Sequence, residues 1–132
     1  WIYVPHWSMN ANSVAYVTSG GGWVQVVDSQ GKSVFSGEVR KGRLVVVPKN
    51  FAVAIHTGRD GMEYIVFRTN NRDMMGTLVG PTSAITAIPG EVFANAFGLS
   101  PDEVSELKNN RKEAVLASPA SHHSRNPLIA TL

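Results

Sequence analysis

Apolar residues recur along this chain at two different periods, and the change falls near Pro89. Before it, short runs rich in Val, Ile, Tyr and Phe cover Val14–Thr18, Trp23–Asp28, Ser33–Val39, Leu44–Val47, Ala52–His56 and Glu63–Arg68. Such runs read as β-strands, because branched and aromatic side chains pack well on a pleated surface. Between them fall Ser19-Gly20-Gly21-Gly22, Ser29-Gln30-Gly31-Lys32, Lys41-Gly42, Pro48-Lys49-Asn50 and Thr57-Gly58-Arg59-Asp60-Gly61, which carry the residues that turns require. Strands punctuated this regularly predict an all-β antiparallel barrel or sandwich over residues 1–88. Trp23 to Asp28 alternates between apolar and polar, as one buried face demands. Leu44 to Val47 is apolar throughout, as expected of a strand covered on both faces.

After Pro89, Val92, Phe93, Ala96 and Phe97 fall at helical spacing, with Gly98 placed to end the helix. A second helix follows. Ser100 can cap it, Pro101 suits the first helical position, and Glu103 can close a capping box, ahead of a stripe of Val104 and Leu107. Two short amphipathic helices over 89–111 have too little apolar surface to stand alone, so they must pack on the barrel or on another subunit. From Lys112 to Leu132 the periodicity is lost, and Ser118 to Ser124 reads as a mobile tail. No internal repeat is visible.

With 132 residues, 43% of them hydrophobic, the chain can bury one modest core. No stretch approaches the roughly 18 to 20 apolar residues that span a bilayer, since Leu44 to Val47 is stopped by Pro48 and Lys49; no membrane partner is expected. The start, Trp1-Ile2-Tyr3-Val4-Pro5, has neither the basic opening of a signal peptide nor an initiating Met. Either a leader has been removed or the chain begins mid-protein. The net charge is +2 and spread out; the one dense group, Arg40-Lys41-Gly42-Arg43, has no interleaved aromatics and reads as a solvated turn, so no nucleic-acid partner is expected. The absence of cysteine excludes an internal disulfide, a thiolate nucleophile and Cys-ligated zinc.

That leaves four histidines as candidates for a metal or a base. His122 and His123 are adjacent in a Ser-rich segment, where ordered sites are rare. His56 ends an expected strand with no acidic residue close by in sequence. His6 is different, because Pro5-His6-Trp7-Ser8-Met9-Asn10-Ala11-Asn12-Ser13, followed by Tyr16-Val17-Thr18, resembles the first motif of a cupin barrel, and Gly42-Arg43-Leu44-Val45-Val46-Val47-Pro48-Lys49-Asn50-Phe51 resembles the second. Val24 to Asp28, Gly37 to Arg40, Phe67 to Asn70, Ser83-Ala84-Ile85, Ala87-Ile88-Pro89, Glu91-Val92, Ala94 to Phe97 and Leu107 to Arg111 are similar to the basic chain of legumin-type (11S) seed storage globulins. The likeness runs from Pro5 to Arg111.

The resemblance implies a cupin, jelly-roll type antiparallel barrel with two short C-terminal helices. In metal-binding cupins the first motif gives two histidines and a glutamate and the second a further histidine. Carried over, these fall on His6, Ser8, Ser13 and Val53, so one ligand of four survives. One imidazole, two hydroxyls and a valine cannot supply the strong donors a catalytic divalent ion needs. No catalytic residue, metal or cofactor is therefore expected, against the alternative of a metal-dependent oxidase of small dicarboxylic acids. A third reading is a small-ligand barrel, permitted by an apolar lumen of Val45, Val47, Val53 and Ile55. The storage family further implies a two-barrel precursor cut into an acidic and a basic chain joined by a disulfide, assembly into trimers and hexamers, and deposition in the protein storage vacuole as a reserve of nitrogen, carbon and sulfur. The Gly-rich start and cysteine of a basic chain are absent here, so the barrel is expected to be incomplete at its N-terminus, with another chain completing its core. Val92, Phe93, Phe97, Val104 and Leu107 are the residues expected to meet a neighbouring subunit. Asn126-Pro127-Leu128-Ile129 resembles short vacuolar targeting peptides.

Overall fold

In the computed structural model, which describes residues 1–110 and 116–117, the strands expected on either side of two glycine-rich segments are continuous. The elements are β1 (Ile2–Ser8), β2 (Ser13–Val27), β3 (Ser33–Arg40), β4 (Leu44–Val47), β5 (Ala52–Arg68), β6 (Met75–Thr77), α1 (Ala84–Ala87), α2 (Gly90–Phe97), α3 (Pro101–Asn109) and β7 (Leu116–Ala117). All strand pairs are antiparallel.

Expecting turns at Ser19–Gly22 and Thr57–Gly61 was wrong, and the reason is steric. A Cβ on Gly20 would lie 2.1 Å from the Gly61 carbonyl oxygen, and one on Gly22 would lie 2.4 Å from that of His56. Here glycine permits two backbones to touch rather than one backbone to reverse. Register breaks between Val17 and Ser19 and between Gly20 and Gly22 mark the bend. Through it, β2 and β5 each pass from one sheet to the other. Their segments Ser13–Val17 and Tyr64–Arg68 form a sheet with β4, while Gly22–Val27 and Ala52–Thr57 join β3 and β1, with β6 and β7 added along β1. The two sheets enclose Val17, Val24, Val26, Val39, Val45, Val53 and Ile55. This is an antiparallel barrel of the kind that the resemblance implies.

β1 was unread as a strand because Pro5 interrupts it. The sheet tolerates Pro5 where the β1–β5 register shifts between Tyr3 and His6, and the Pro5 carbonyl accepts from Leu78 N–H at 3.0 Å. Among the described residues Leu44–Val47 is covered on one face alone, since Val45 is buried while Leu44 and Val46 are exposed.

The helices begin and end on their caps. Ser100 and Glu103 exchange the two bonds of a capping box, and Gly98, at φ 66°, closes α2. The additional helix α1 is capped by Ser83. α2 packs on α3, whose Lys108 ammonium donates to the Ile88 carbonyl. Leu116–Ala117 pairs with Tyr3 and Ile2, so the segment from Lys112 is not wholly a tail; the residues from Ser118, including Asn126–Ile129, lie outside the described ones.

Candidate functional site

The barrel lumen is a cavity of about 130 Å³, and all four carried-over positions line it. Strand alternation puts them there. Ser13, Ala15, Val45, Val47, Val53, Ile55, Tyr64 and Val66 face inward from β2, β4 and β5, and β1 contributes Tyr3, His6 and Ser8. His6 pairs with Val53 across the β1–β5 ladder and Ser13 with Arg68 across β2–β5.

His6 is buried, and its Nδ1 lies 2.8 Å from the Val4 carbonyl oxygen. A carbonyl only accepts, so Nδ1 carries the proton and Nε2 the lone pair. Its ring lies against Tyr3 with centroids 4.0 Å apart. Burial holds the imidazole below its usual pKa, the Val4 bond opposes that effect, and the Arg68 charge adds to it. A neutral imidazole in this setting is a packed, singly bonded side chain. Burial raises the Tyr3 phenol and pushes that of Tyr64 up to about 12, so both are neutral donors near pH 7.

Ser8 Oγ donates to Asp73 Oδ1 and accepts from Ala11 N–H at 3.0 Å. Asp73 Oδ2 lies 2.7 Å from Arg68 Nε, a close ion pair that lacks hydrogen-bond alignment. Sequence spacing gave no hint of this cluster, because Ser8, Arg68 and Asp73 come from three separate stretches. The Asp73 carboxylate, whose charge acts on His6, is thus already paired with a guanidinium. Among the described residues no three His, Cys, Asp or Glu side chains gather as a metal site would require. The residues present do not fit the divalent metal of the enzymatic cupins. Among the described residues, the polar partner of the His6 ring is the Val4 carbonyl and not a carboxylate.

The five helical residues named above divide. Phe93 and Val104 are buried within the helical unit, whereas Val92, Phe97 and Leu107 are exposed on it. Phe97 lies against Phe93 with ring centroids 4.6 Å apart, holding the outward ring in place.

Residues 2–105 match the family model described as Cupin. The chain is 47% identical over 124 residues to the 13S globulin basic chain of Fagopyrum esculentum, covering 94% of this chain and 64% of that one. It is 45% identical over 125 residues to 11S globulin seed storage protein 1 of Carya illinoinensis, covering 95% of this chain and 25% of that protein. Among solved structures, procruciferin, an 11S globulin from Brassica napus, superposes with a TM-score of 0.86 at 36% identity, over 91% of this chain and 31% of that one. An oxalate decarboxylase variant from B. subtilis, with a TM-score of 0.76 at 24% identity over 91% of this chain and 32% of its own, shares the fold alone. The chain thus spans less than two thirds of the length of each of these relatives, from 64% of the first to 25% of the second.

Proposed function

The chain belongs to the cupin family, and from that premise we propose that it is a non-catalytic storage barrel, the basic-chain part of a legumin-type seed globulin that holds nitrogen, carbon and sulfur for germination. Its curated relatives are seed globulins at 45–47% identity. One observation supports the choice over an enzymatic cupin: the carried-over positions present a single imidazole, and beside them the lumen is lined by Arg68, a cation ion-paired with Asp73, where anionic donors would be needed. Elemental analysis of the purified chain tests this. Well below one equivalent of manganese, iron, copper or zinc per chain is expected, with no turnover of oxalate. A stoichiometric metal that disappears in His6→Ala would return the enzyme reading to first place.

The same reading supplies partners and location. The acidic chain of the same precursor is the partner that completes the barrel, and among the described residues Tyr64–Arg68 is sheet-bonded only to β2, leaving an edge for another strand. Val92, Phe97 and Leu107 are the helical surface that meets the next subunit of a trimer or hexamer, with Phe93 and Val104 supporting them from beneath. Deposition in the protein storage vacuole follows from the storage role. Truncation after Pro89 should abolish trimers, and trimers of normal stability in the truncated chain would remove the helices from the interface.

A further inference from the structure

We propose that the groove at the glycine corner, on the outer face of the β3–β2–β5–β1 sheet, binds a neutral oligosaccharide with one sugar ring stacked on Trp23. Strand alternation builds it. Val24 and Val26 of β2 are buried, so the Trp23 side chain points outward, and register sets Glu38 and His56 on either side of it in one cross-strand row. The next row toward the corner is Arg40–Gly21–Gly58: Arg40 is the register partner of Gly21, and a Cβ on Gly58 would lie 3.2 Å from the Gly21 carbonyl oxygen. Two adjacent positions of this row therefore carry no side chain. The strip beside the indole is bare backbone.

The open groove so formed has a volume of about 800 Å³ and shares no lining residue with the lumen. Ligand clefts commonly measure about 300–1,000 Å³, so the size suits a ligand of more than one sugar ring. Half of the Trp23 surface, 52%, is open to solvent. Its Nε1–H donates to Ser36 Oγ at 3.2 Å, and Ser36 is the register partner of Gln25, on the side away from Gly21. That bond fixes the indole beside the gap. At the β3 edge, Arg40 donates twice to the Glu38 carboxylate, at 3.1 Å each. An exposed pair of this kind adds little stability, but it orients two planar polar groups toward one strip of surface before any ligand arrives.

The lining selects the ligand. Trp23 is joined there by no aliphatic side chain, so an apolar ligand would lack the apolar walls that hold one. Three cations, Arg40, Lys41 and Arg59, stand against two carboxylates, Glu38 and Asp60, and one of the cations is already paired. A nucleic-acid strand is held by unopposed cations and stacked on successive aromatics, and this groove offers neither. What fits is a molecule with a flat C–H face for the indole and hydroxyls on its rim, because a carboxylate accepts from hydroxyls and a guanidinium donates to them. A pyranose ring with equatorial hydroxyls has that form. The proposal uses no lumen residue and does not rest on the storage reading.

Calorimetric titration with cellotetraose, a neutral chain of β-linked glucose, is expected to give a Kd of about 1 mM or below. Trp23→Ala should weaken binding at least about tenfold, as truncation of a central aromatic anchor does, and Arg40→Ala about fivefold through the lost hydrogen bonds. Leu44→Ala, exposed on the other sheet, should bind as the wild type does. Of the three tryptophan indole N–H resonances, one should shift on titration, and it should be the one missing from Trp23→Phe. Circular dichroism checks that each variant keeps its strands; Trp23 and Arg40 are exposed, so both replacements should. No heat and no shifted indole at about 10 mM cellotetraose, or equal binding by Trp23→Ala and the wild type, would overturn the proposal. So would tighter binding of tetragalacturonate that fades with added salt, since the groove would then be an anion site.

Discussion

Three glycines separate two kinds of backbone demand, and alanine at each should cost a different and calculable amount. Gly31 sits at φ 82° with nothing within 4 Å of an added Cβ, so Gly31→Ala meets conformational strain alone. That strain is about 1–2 kcal/mol, partly offset by 0.4–1 kcal/mol from the stiffer unfolded chain, for a net loss of about 1 kcal/mol. Gly22 has no positive φ, but its Cβ would stand 2.4 Å from the His56 carbonyl oxygen and 2.9 Å from the Thr57 Cα. Backbone cannot swing aside as a side chain can, so Gly22→Ala is expected to cost about 2 kcal/mol. Gly20 combines both problems, at φ 64° with the Gly61 oxygen 2.1 Å away. Gly20→Ala should therefore cost about 3 kcal/mol or more. Urea unfolding followed by tryptophan fluorescence reads the series; with a slope of about 2 kcal/mol per M, the Gly20 midpoint should fall about 1 M below that of Gly31→Ala. Equal midpoints for Gly20→Ala and Gly31→Ala would refute the account of the corner as a place where two backbones touch.

Burial holds the His6 pKa below its unfolded value, so between the two values the unfolded chain binds the extra proton; stability should fall as pH drops below about 6.5, and His6→Asn should flatten that slope in chemical denaturation. Tyr64 has the opposite sign of dependence, because its pKa is raised to about 12: its contribution is intact below about 10 and lost as pH climbs through 12. An ultraviolet titration should accordingly show a phenol titrating near 12 that Tyr64→Phe removes, beside the less shifted Tyr3. Ser100→Ala deletes one arm of the capping box and should cost about 1 kcal/mol, read as faster amide exchange in α3 with the barrel amides unchanged.

What could be read from the chain, and what could not, follows from the kind of signal involved. The helical pair was legible because its caps are local: Ser100, Pro101, Glu103 and Gly98 do their work within a turn of where they stand. The barrel was legible because Trp23 to Asp28, with Val24 and Val26 buried, alternates at the period of a strand, whereas Leu44 to Val47, apolar on both sides, showed a strand but not which side is covered. Gly20 and Gly22 misled because a glycine that reverses a chain and one that admits a second backbone are the same letter; the difference lies at Gly61 and His56, 41 and 34 residues away. Pro5 hid β1 in the same way, since only the register shift opposite β5 makes it admissible. At the site, resemblance brought His6, Ser8, Ser13 and Val53 to one lumen, and the structure gathers them there. Arg68 and Asp73 were missed, for an ion pair between a strand end and a loop has no characteristic spacing.

That ion pair matters for why the lumen would refuse a cation, and two explanations predict different outcomes. Either the barrel has only lost donors, or a fixed positive charge also opposes binding. His6 feels both Arg68 and Asp73, and Ser13 is the register partner of Arg68, so the guanidinium stands among the carried-over positions. A neighbouring charge shifts a charge equilibrium by about 1–3 pKa units, which is tenfold or more. Restoring donors with Ser8→His, Ser13→Glu and Val53→His should therefore give only weak manganese or zinc binding by calorimetry at neutral pH. Adding Arg68→Met removes the opposing charge and frees the Asp73 carboxylate, and should tighten binding at least tenfold. Arg68→Met alone leaves fewer than three strong donors and should bind no stoichiometric metal. Near-ultraviolet circular dichroism identifies any variant whose core has loosened, and the comparison is made only between variants that keep the wild-type spectrum. Equal affinity with and without Arg68 would sink the electrostatic explanation and leave donor loss as the whole reason.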